Sequence, residues 1–401
     1  MRHHHLSIAM CCVGSLTRLA LGDGSYVGFT PGVNPTGTSA NGSVVVGYDG
    51  LGYFFYTADE GYVQVGGAPP GDGVGGSGTT SDDGLRFSGS VLNPATNLYE
   101  MGIYDRSLGQ WILCGGLGAS SDASTSSGWG LSGNGLVSVG LGWINAGTAH
   151  AIVWTAEQGV VSLGSTVTGR STRANGTNAD GRVVVGWQDA ASGFRQGCVW
   201  NNGVQTLITQ GSSPMGEAGA CSADGSVVVG GGTSSNSFQA WRWTQAGGLQ
   251  NIGPAPVSGW RGSSTSISGD GGTIVGFYRP WPAPATFGRG FIWTAQDGMR
   301  DLTDLAIEQG IAIPSGLTLA LPLAISRDGR TVVGLASGGS GFAITFESEY
   351  GPADINGDGA VNGVDLAALL ANWGGSGVGD LDGSGVVDGF DLSAMLAAWT
   401  G

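Results

Sequence analysis

One order of polar and apolar positions recurs along the chain. A small polar residue and a spacer precede Asn-Gly or Asp-Gly, and a β-branched run closed by glycine follows. Residues 39–47 read SANGSVVVG, residues 178–186 NADGRVVVG and residues 222–230 SADGSVVVG. Variants stand at 132–140 (SGNGLVSVG), 268–276 (SGDGGTIVG) and 326–334 (SRDGRTVVG), with a degenerate copy, SDDGLRFSG, at 81–89. Asn-Gly or Asp-Gly before an apolar run predicts a hairpin turn, because these residues accept positive φ. The Val-Val-Val run predicts a strand.

A second phrase follows each copy after a variable loop. It reads HAIVWTAEQGVVSLG from His150, QAWRWTQAGGLQNIG from Gln239 and GFIWTAQDGMRDL from Gly290, with weaker forms from Phe54, Gly102 and Gln196. The last form, GFAITFESEYG from Gly341, stops before its final strand. Each unit therefore offers about four short strands in roughly 45 residues, the content of a propeller blade. The expected fold is mostly β: a seven-bladed β-propeller followed by a small α-helical module. LTRLALG at 16–22 resembles the outermost strand of a unit, so it is expected to complete the last blade and remove two exposed sheet edges.

These phrases are similar to those of the bacterial extracellular HAF-repeat proteins, named for a His-Ala-Phe sequence ahead of Trp-Thr. Here His150-Ala151-Ile152 keeps the histidine, while other units carry Gln or Gly. The resemblance covers about residues 16–348. It implies a secreted β-propeller and no particular activity.

After Pro352 the composition changes. Residues 352–401 contain Asp but no Glu and no basic residue. Two segments, DINGDGAVNGVD from Asp354 and DLDGSGVVDGFD from Asp380, match a 12-residue calcium loop. Such a loop needs oxygen side chains at positions 1, 3, 5, 9 and 12, glycine at 6 and a backbone carbonyl at 7. The first loop supplies Asp354, Asn356, Asp358, the Ala360 carbonyl, Asn362 and Asp365. The second supplies Asp380, Asp382, Ser384, the Val386 carbonyl, Asp388 and Asp391. The expected cofactor is Ca2+, two ions. Each loop runs into an apolar helix (LAALLANW, LSAMLAAW), and so small a module should draw much of its folding free energy from the ion. The pair resembles a dockerin module. That resemblance implies a cohesin-like or cell-envelope partner, read through loop positions 10 and 11, here Gly363-Val364 and Gly389-Phe390. The usual hydroxyl-bearing residues are missing there.

Charge and composition narrow the remaining classes. Gly is 79 of 401 residues and the net charge is -15. All 15 basic residues are Arg, which excludes lysine chemistry, and three of the four His crowd positions 3–5. The acidic balance disfavours nucleic acid and anionic membranes. The first 15 residues have signal-peptide character, with cleavage as late as residue 22, and no stretch suits a membrane span. The expected location is extracellular or at the cell surface. The domains are then 1–15 signal peptide, 16–348 propeller, 349–353 linker and 354–401 calcium module.

Bland readings account for most other candidates. Asp83, Asp180, Asp224, Asp270 and Asp328 are turn residues; His150 occupies a position held elsewhere by Gln196 and Gln239. Trp154, Trp200, Trp243 and Trp293 are expected in the core between blades. Cys114, Cys198 and Cys221 read as small buried hydrophobes, with a Cys198–Cys221 disulfide as the alternative. Residues 71–80 and 115–130 read as Gly/Ser-rich loops. Trp260-Arg261 and Arg279-Pro280-Trp281-Pro282 break the repeat, and aromatics beside Arg can grip sugars or a partner chain, although loop packing also explains them. The sequence favours a non-enzymatic interaction protein whose propeller binds a polysaccharide or protein ligand. The alternative is a glycoside hydrolase or an accessory subunit of a polysaccharide-degrading assembly. That would need two converging carboxylates, drawn from Glu157, Glu217, Asp189, Asp105, Asp301 and Asp304. A self-associating surface-layer component is a third reading.

Overall fold

The structure is a computed structural model that describes residues 17–20, 24–68, 78–232, 239–347, 353–355, 360–375, 379–382, 384 and 386–400. The expected signal segment and most of the linker lie outside them.

Each repeat phrase sits at the tip of a hairpin between an inner strand and the next strand outward. Asn34–Thr38 pairs with Val45–Asp49, then Gly52–Thr57, then Gly61–Gly66, all antiparallel. The same meander runs through Ser126–Leu131, Val137–Asn145, Thr148–Thr155 and Gly159–Gly164. It recurs from Thr172–Thr177 to Val204–Leu207, from Ala218–Cys221 to Gly248–Asn251 and from Trp260–Ile267 to Gly298–Asp301. Around Gly89 the strands Arg86–Asn93, Leu98–Asp105 and Gln110–Gly115 form the sheet, and Thr80 bridges Phe87 on its inner side.

The sheets close on one another through their turns. The carbonyl oxygen of the second residue of each phrase accepts an N–H from the neighbouring phrase. The bonds run Ala40 to Asp82 (3.0 Å), Asp82 to Gly133 (2.7 Å), Asn134 to Ala179 (3.0 Å) and Ala179 to Ala223 (3.0 Å). They continue Ala223 to Gly269 (2.8 Å), Gly269 to Arg327 (2.8 Å) and Asp328 back to Ala40 (3.0 Å). Inner strands from all around this ring line a central channel of about 370 Å3.

The turn chemistry explains the phrase. Ser222 Oγ donates to Asp224 Oδ1 (2.6 Å), which also accepts from the Ser226 N–H (2.9 Å), while the Val227 N–H donates back to Ser222 Oγ (3.0 Å). Asn178 replaces the serine in its own copy and accepts from the Val183 N–H at 2.9 Å. The aspartates of the phrase thus act in turns, as expected. The closing glycine has a different cause. A Cβ on Gly186 would lie 2.0 Å from the Arg173 carbonyl oxygen, and one on Gly140 2.0 Å from that of Ser127. Inner strand and neighbour approach too closely there for any side chain.

The outer closure corrects the sequence expectation. Ser340–Thr345 pairs with Ser25–Pro31, which completes that sheet, and Thr17–Ala20 adds a fifth strand beyond it. LTRLALG resembles an outermost strand, but the segment after it reaches the open edge first. A second correction concerns 115–130. Ser126–Leu131 is an inner strand, and its Gly/Ser content reflects close packing beside the channel.

The core lies between sheets. Val227, Val229, Ile267, Ile274, Tyr278, Phe291 and Trp293 form one such cluster, drawn from adjacent meanders. Trp200, Trp243 and Trp293 are buried as expected, while Trp154 is half-buried against the Met101 cluster. Cys114, Cys198 and Cys221 are buried free thiols, so the disulfide alternative is not realised.

Candidate functional site

Two regions carry chemistry beyond packing. In the C-terminal segment, helices α2 (Gly363–Ala371) and α3 (Gly389–Ala397) each start from a capping box. Asn362 Oδ1 accepts from the Val364 N–H (2.8 Å), and Asp365 Oδ2 accepts from the Asn362 N–H (2.9 Å). Asp388 and Asp391 repeat the arrangement at 2.8 and 2.7 Å. Position 12 of each loop is thereby turned inward, and Asp365, Asp391 and Asp354 are all buried.

Carboxylate oxygens of Asp380, Asp382 and Asp391 lie within 4.8 Å of one another. Asp391 Oδ1 also accepts the Leu381 N–H at 2.6 Å, and Ser384 Oγ lies 3.2 Å from the Val386 carbonyl. Three like charges this close oppose one another; backbone N–H groups offset part of this and hold the Asp391 carboxyl low, no basic residue follows Pro352, and a cation among them would offset the rest. The donors are all oxygen, which suits a hard divalent cation such as calcium rather than a thiolate- or imidazole-seeking metal. In the first loop Asp354, Ala360, Asn362 and Asp365 are described, whereas Asn356 and Asp358 lie outside the described residues. The module's core is small: Ala353, Val361, Leu369, Val387 and Met395. The loops also hold each other, since Thr400 Oγ1 accepts the Val361 N–H at 2.8 Å and the Gly374 N–H donates to Val387 O at 2.8 Å.

The second region lies at the channel end opposite the turn ring. The inner strands enter there, and a cavity of about 330 Å3 opens between neighbouring meanders. Phe194, Arg195, Glu217, Arg261, Arg279 and Trp281 line it. Glu217 pairs with Arg195 and with Arg173 at 3.5 Å. Arg173 stacks 3.8 Å from the Trp129 ring centroid, and burial pulls its guanidinium down to about 10 although Glu217 opposes the shift. The sequence singled out Arg261, Arg279 and Trp281 but missed Phe194 and Arg195, whose repeat gives no local sign of them.

The remaining candidates have structural occupations. His150 Nδ1 lies 2.9 Å from Ser162 Oγ, and burial holds its pKa low. Asp105 is buried, accepts from Arg86 Nε at 2.9 Å and is held below the usual carboxylate range, first by Ser107 and then by Arg86. Asp301 caps α1 (Leu302–Glu308) through the Thr303 N–H at 2.9 Å and pairs with Arg289 at 3.0 Å. Asp304 lies in the first turn of α1, Asp189 faces Arg195 across the sheet, and Glu157 is exposed. Of the channel carboxylates, Asp82 pairs with Arg327 and Glu217 with two arginines.

Antiparallel meanders set radially about a channel, each with its first strand innermost, define a β-propeller. An oligogalacturonate lyase in complex with manganese superposes with TM-score 0.52 at 10% identity, over 84% of this chain and 97% of that one. The oligogalacturonate lyase of Vibrio parahaemolyticus gives TM-score 0.50 at 12% identity over the same shares. The β-propeller domain of the Trilobed protease from Pyrococcus furiosus gives 0.49 at 10% identity, over 77% and 92%. Identities this low bear on the fold alone. No protein-family model and no curated protein matches the sequence. No described helix is long and apolar enough to cross a membrane.

Proposed function

We propose that this protein is a secreted or cell-surface interaction protein. In this reading a seven-bladed HAF-repeat propeller presents a binding face, and a dockerin-like module folded on two calcium ions anchors it to a partner. The blade count is supported by the turn ring, to which each of the seven phrases contributes one carbonyl. Extracellular placement is supported by the HAF resemblance and the signal-like start. Calcium would be held by Asp354, Asn356, Asp358, Asn362, Asp365 and the Ala360 carbonyl in one loop. In the other, Asp380, Asp382, Ser384, Asp388, Asp391 and the Val386 carbonyl would hold it. The ion's role is structural: it offsets the carboxylate charge and ties loop to helix.

One observation carries the anchor reading. Large apolar residues stand exposed at corresponding positions of the two halves: Val364 with Phe390, Leu370 with Leu396, and Trp373 with Trp399. Val364 and Phe390 are 57% and 76% exposed at loop position 11. Duplicated exposed apolar side chains on so small a module fit a partner surface better than self-packing.

The test uses the full chain. Calorimetry should register two calcium equivalents, with one lost in the Asp380→Ala/Asp391→Ala variant. Immobilised protein should then retain a cohesin or a cell-envelope protein with calcium, release it with chelator, and lose it when Val364 and Phe390 are both changed to Ser. Absence of calcium uptake, or retention indifferent to those two residues, overturns the anchor.

A further inference from the structure

The cavity at the channel end opposite the turn ring gathers arginines beside exposed aromatic surface. Arg261 and Arg279 are direct cross-strand partners in the pairing of Trp260–Ile267 with Ile274–Pro280. Like charges directly opposite each other on a sheet are destabilising. Both guanidinium groups nevertheless gather at one indole, at 4.6 and 4.9 Å from the Trp281 ring centroid. Arg195 stands across the cavity, 4.2 Å from the Trp187 ring. Among the described residues lining the space Glu217 is the one acidic group, so three arginines face one carboxylate. This positive cluster sits in a chain of net charge -15. Contact with the indole, and for Arg279 a hydrogen bond to the Ala283 carbonyl, offsets that repulsion and holds the guanidinium groups at the cavity wall.

The surroundings narrow the ligand. Guanidinium forks take planar oxyanions in bidentate fashion. Beside them Phe194 and Trp281 are 59% and 50% exposed, leaving flat apolar surface next to the charges. A volume of about 330 Å3 suits a short ligand segment rather than a folded partner. A carboxylated sugar ring combines these features, since its C–H face packs on an aromatic while its carboxylate meets arginine. Inorganic phosphate would leave the aromatics unused, and an acidic peptide would bring carboxylates without a flat ring.

We propose that this cavity, framed by Arg195, Arg261, Arg279, Trp281 and Phe194, binds a carboxylated oligosaccharide. The inference rests on the reading of the propeller as a binding scaffold and supplies its ligand class.

The test is calorimetry on the calcium-saturated full chain with an oligoalginate. A neutral oligosaccharide of equal length, a sulfated oligosaccharide, inorganic phosphate and polyglutamate serve as comparators. The oligoalginate should bind more tightly than all four, and added salt should weaken it. Arg261→Gln and Arg279→Gln should each lower its affinity roughly tenfold or more, and Phe194→Ser several-fold. Thermal melts check that each arginine variant is folded, since each substitution removes a like-charge contact but also a contact with Trp281 and, for Arg279, a hydrogen bond to the Ala283 carbonyl. No oligoalginate binding, a comparator that binds as well, or unchanged affinity in both arginine variants overturns the proposal. Calcium-dependent partner retention, measured in parallel, is independent of these outcomes. Its loss with oligoalginate binding intact would count against the anchor and not against the cavity.

Discussion

Asp328 donates its backbone N–H to the carbonyl oxygen of Ala40 across 3.0 Å, and this bond joins the last repeat phrase to the first. At the rim of the same sheet, Ser25–Pro31 pairs with Ser340–Thr345. The ring is therefore closed twice, by a turn at its inner end and by an N-terminal strand at its outer edge.

The outer closure is expected to be energetically substantial. Tyr26 is buried against Ile344, Phe342 and Leu319 although it lies before the first repeat phrase. Tyr26→Ala should cost about 3–5 kcal/mol, the range for removing a large buried aromatic. Denaturant unfolding checks it, and a loss below about 1 kcal/mol would mean that the strand is not part of the folded core.

Two glycine substitutions separate backbone strain from close approach. At Gly203 φ is +81° and a Cβ would meet nothing within 4 Å, so Gly203→Ala should cost only the left-handed penalty of about 1–2 kcal/mol. At Gly186 the Cβ would sit 2.0 Å from a backbone carbonyl oxygen, and Gly186→Ala should cost at least about 3 kcal/mol or prevent folding. Equal effects in chemical denaturation would contradict the close-approach account.

Acid should find Asp105. Its carboxyl is held low in the folded protein by Ser107, then Arg86, against the upward pull of burial. Its stabilising contribution is present above the ordinary carboxylate value of about 4 and is lost as pH falls through the lower folded value. Burial pushes Asp328 the other way, so the difference between variants is the readout. Melting temperature should fall more steeply below about pH 4 in the parent than in Asp105→Asn. Parallel curves would remove Asp105 from the account.

The buried thiols should be inert in the native state. Burial pushes Cys198 and Cys221 up to about 12 and Cys114 higher still. At pH 8 their thiolate fraction is then roughly a thousandfold below that of an exposed cysteine. Mass-spectrometric mapping after alkylation should find these three unmodified until denaturant is added. Native modification of Cys221, which lines the channel, would show that the channel admits reagents to it.

Legibility in the sequence followed the physics of each element. The turns and the strands after them were readable, because Asp-Gly followed by valines answers to local preference alone. The inner strands were not. Ser126–Leu131 and Thr172–Thr177 read SSGWGL and TRANGT; beside a narrow channel, small and polar residues replace the alternation that marks a half-buried strand. Edge choice was also hidden, since Ser25–Pro31 takes the sheet edge that the sequence assigns to 16–22, and Thr17–Ala20 pairs outside it. The carboxylate cluster of Asp380, Asp382 and Asp391 was visible because these residues keep a fixed spacing within twelve positions. The arginine cavity was half visible: Arg261, Arg279 and Trp281 interrupt a repeat, but Phe194, Arg195 and Glu217 reach them from other repeats.

The turn ring bonds through the main chain at the second position of each phrase, where Ala, Asp, Gly and Arg all occur. The bond itself asks no side chain of either repeat, although Asp82 and Arg327 also pair across the ring and Gly133 has the Asp82 carboxylate against it. A gene encoding such a chain can copy one unit, let its loops drift and change what the opposite rim holds, while the main-chain bond at the joint is kept. The turn end can stay constant while the loop end diversifies.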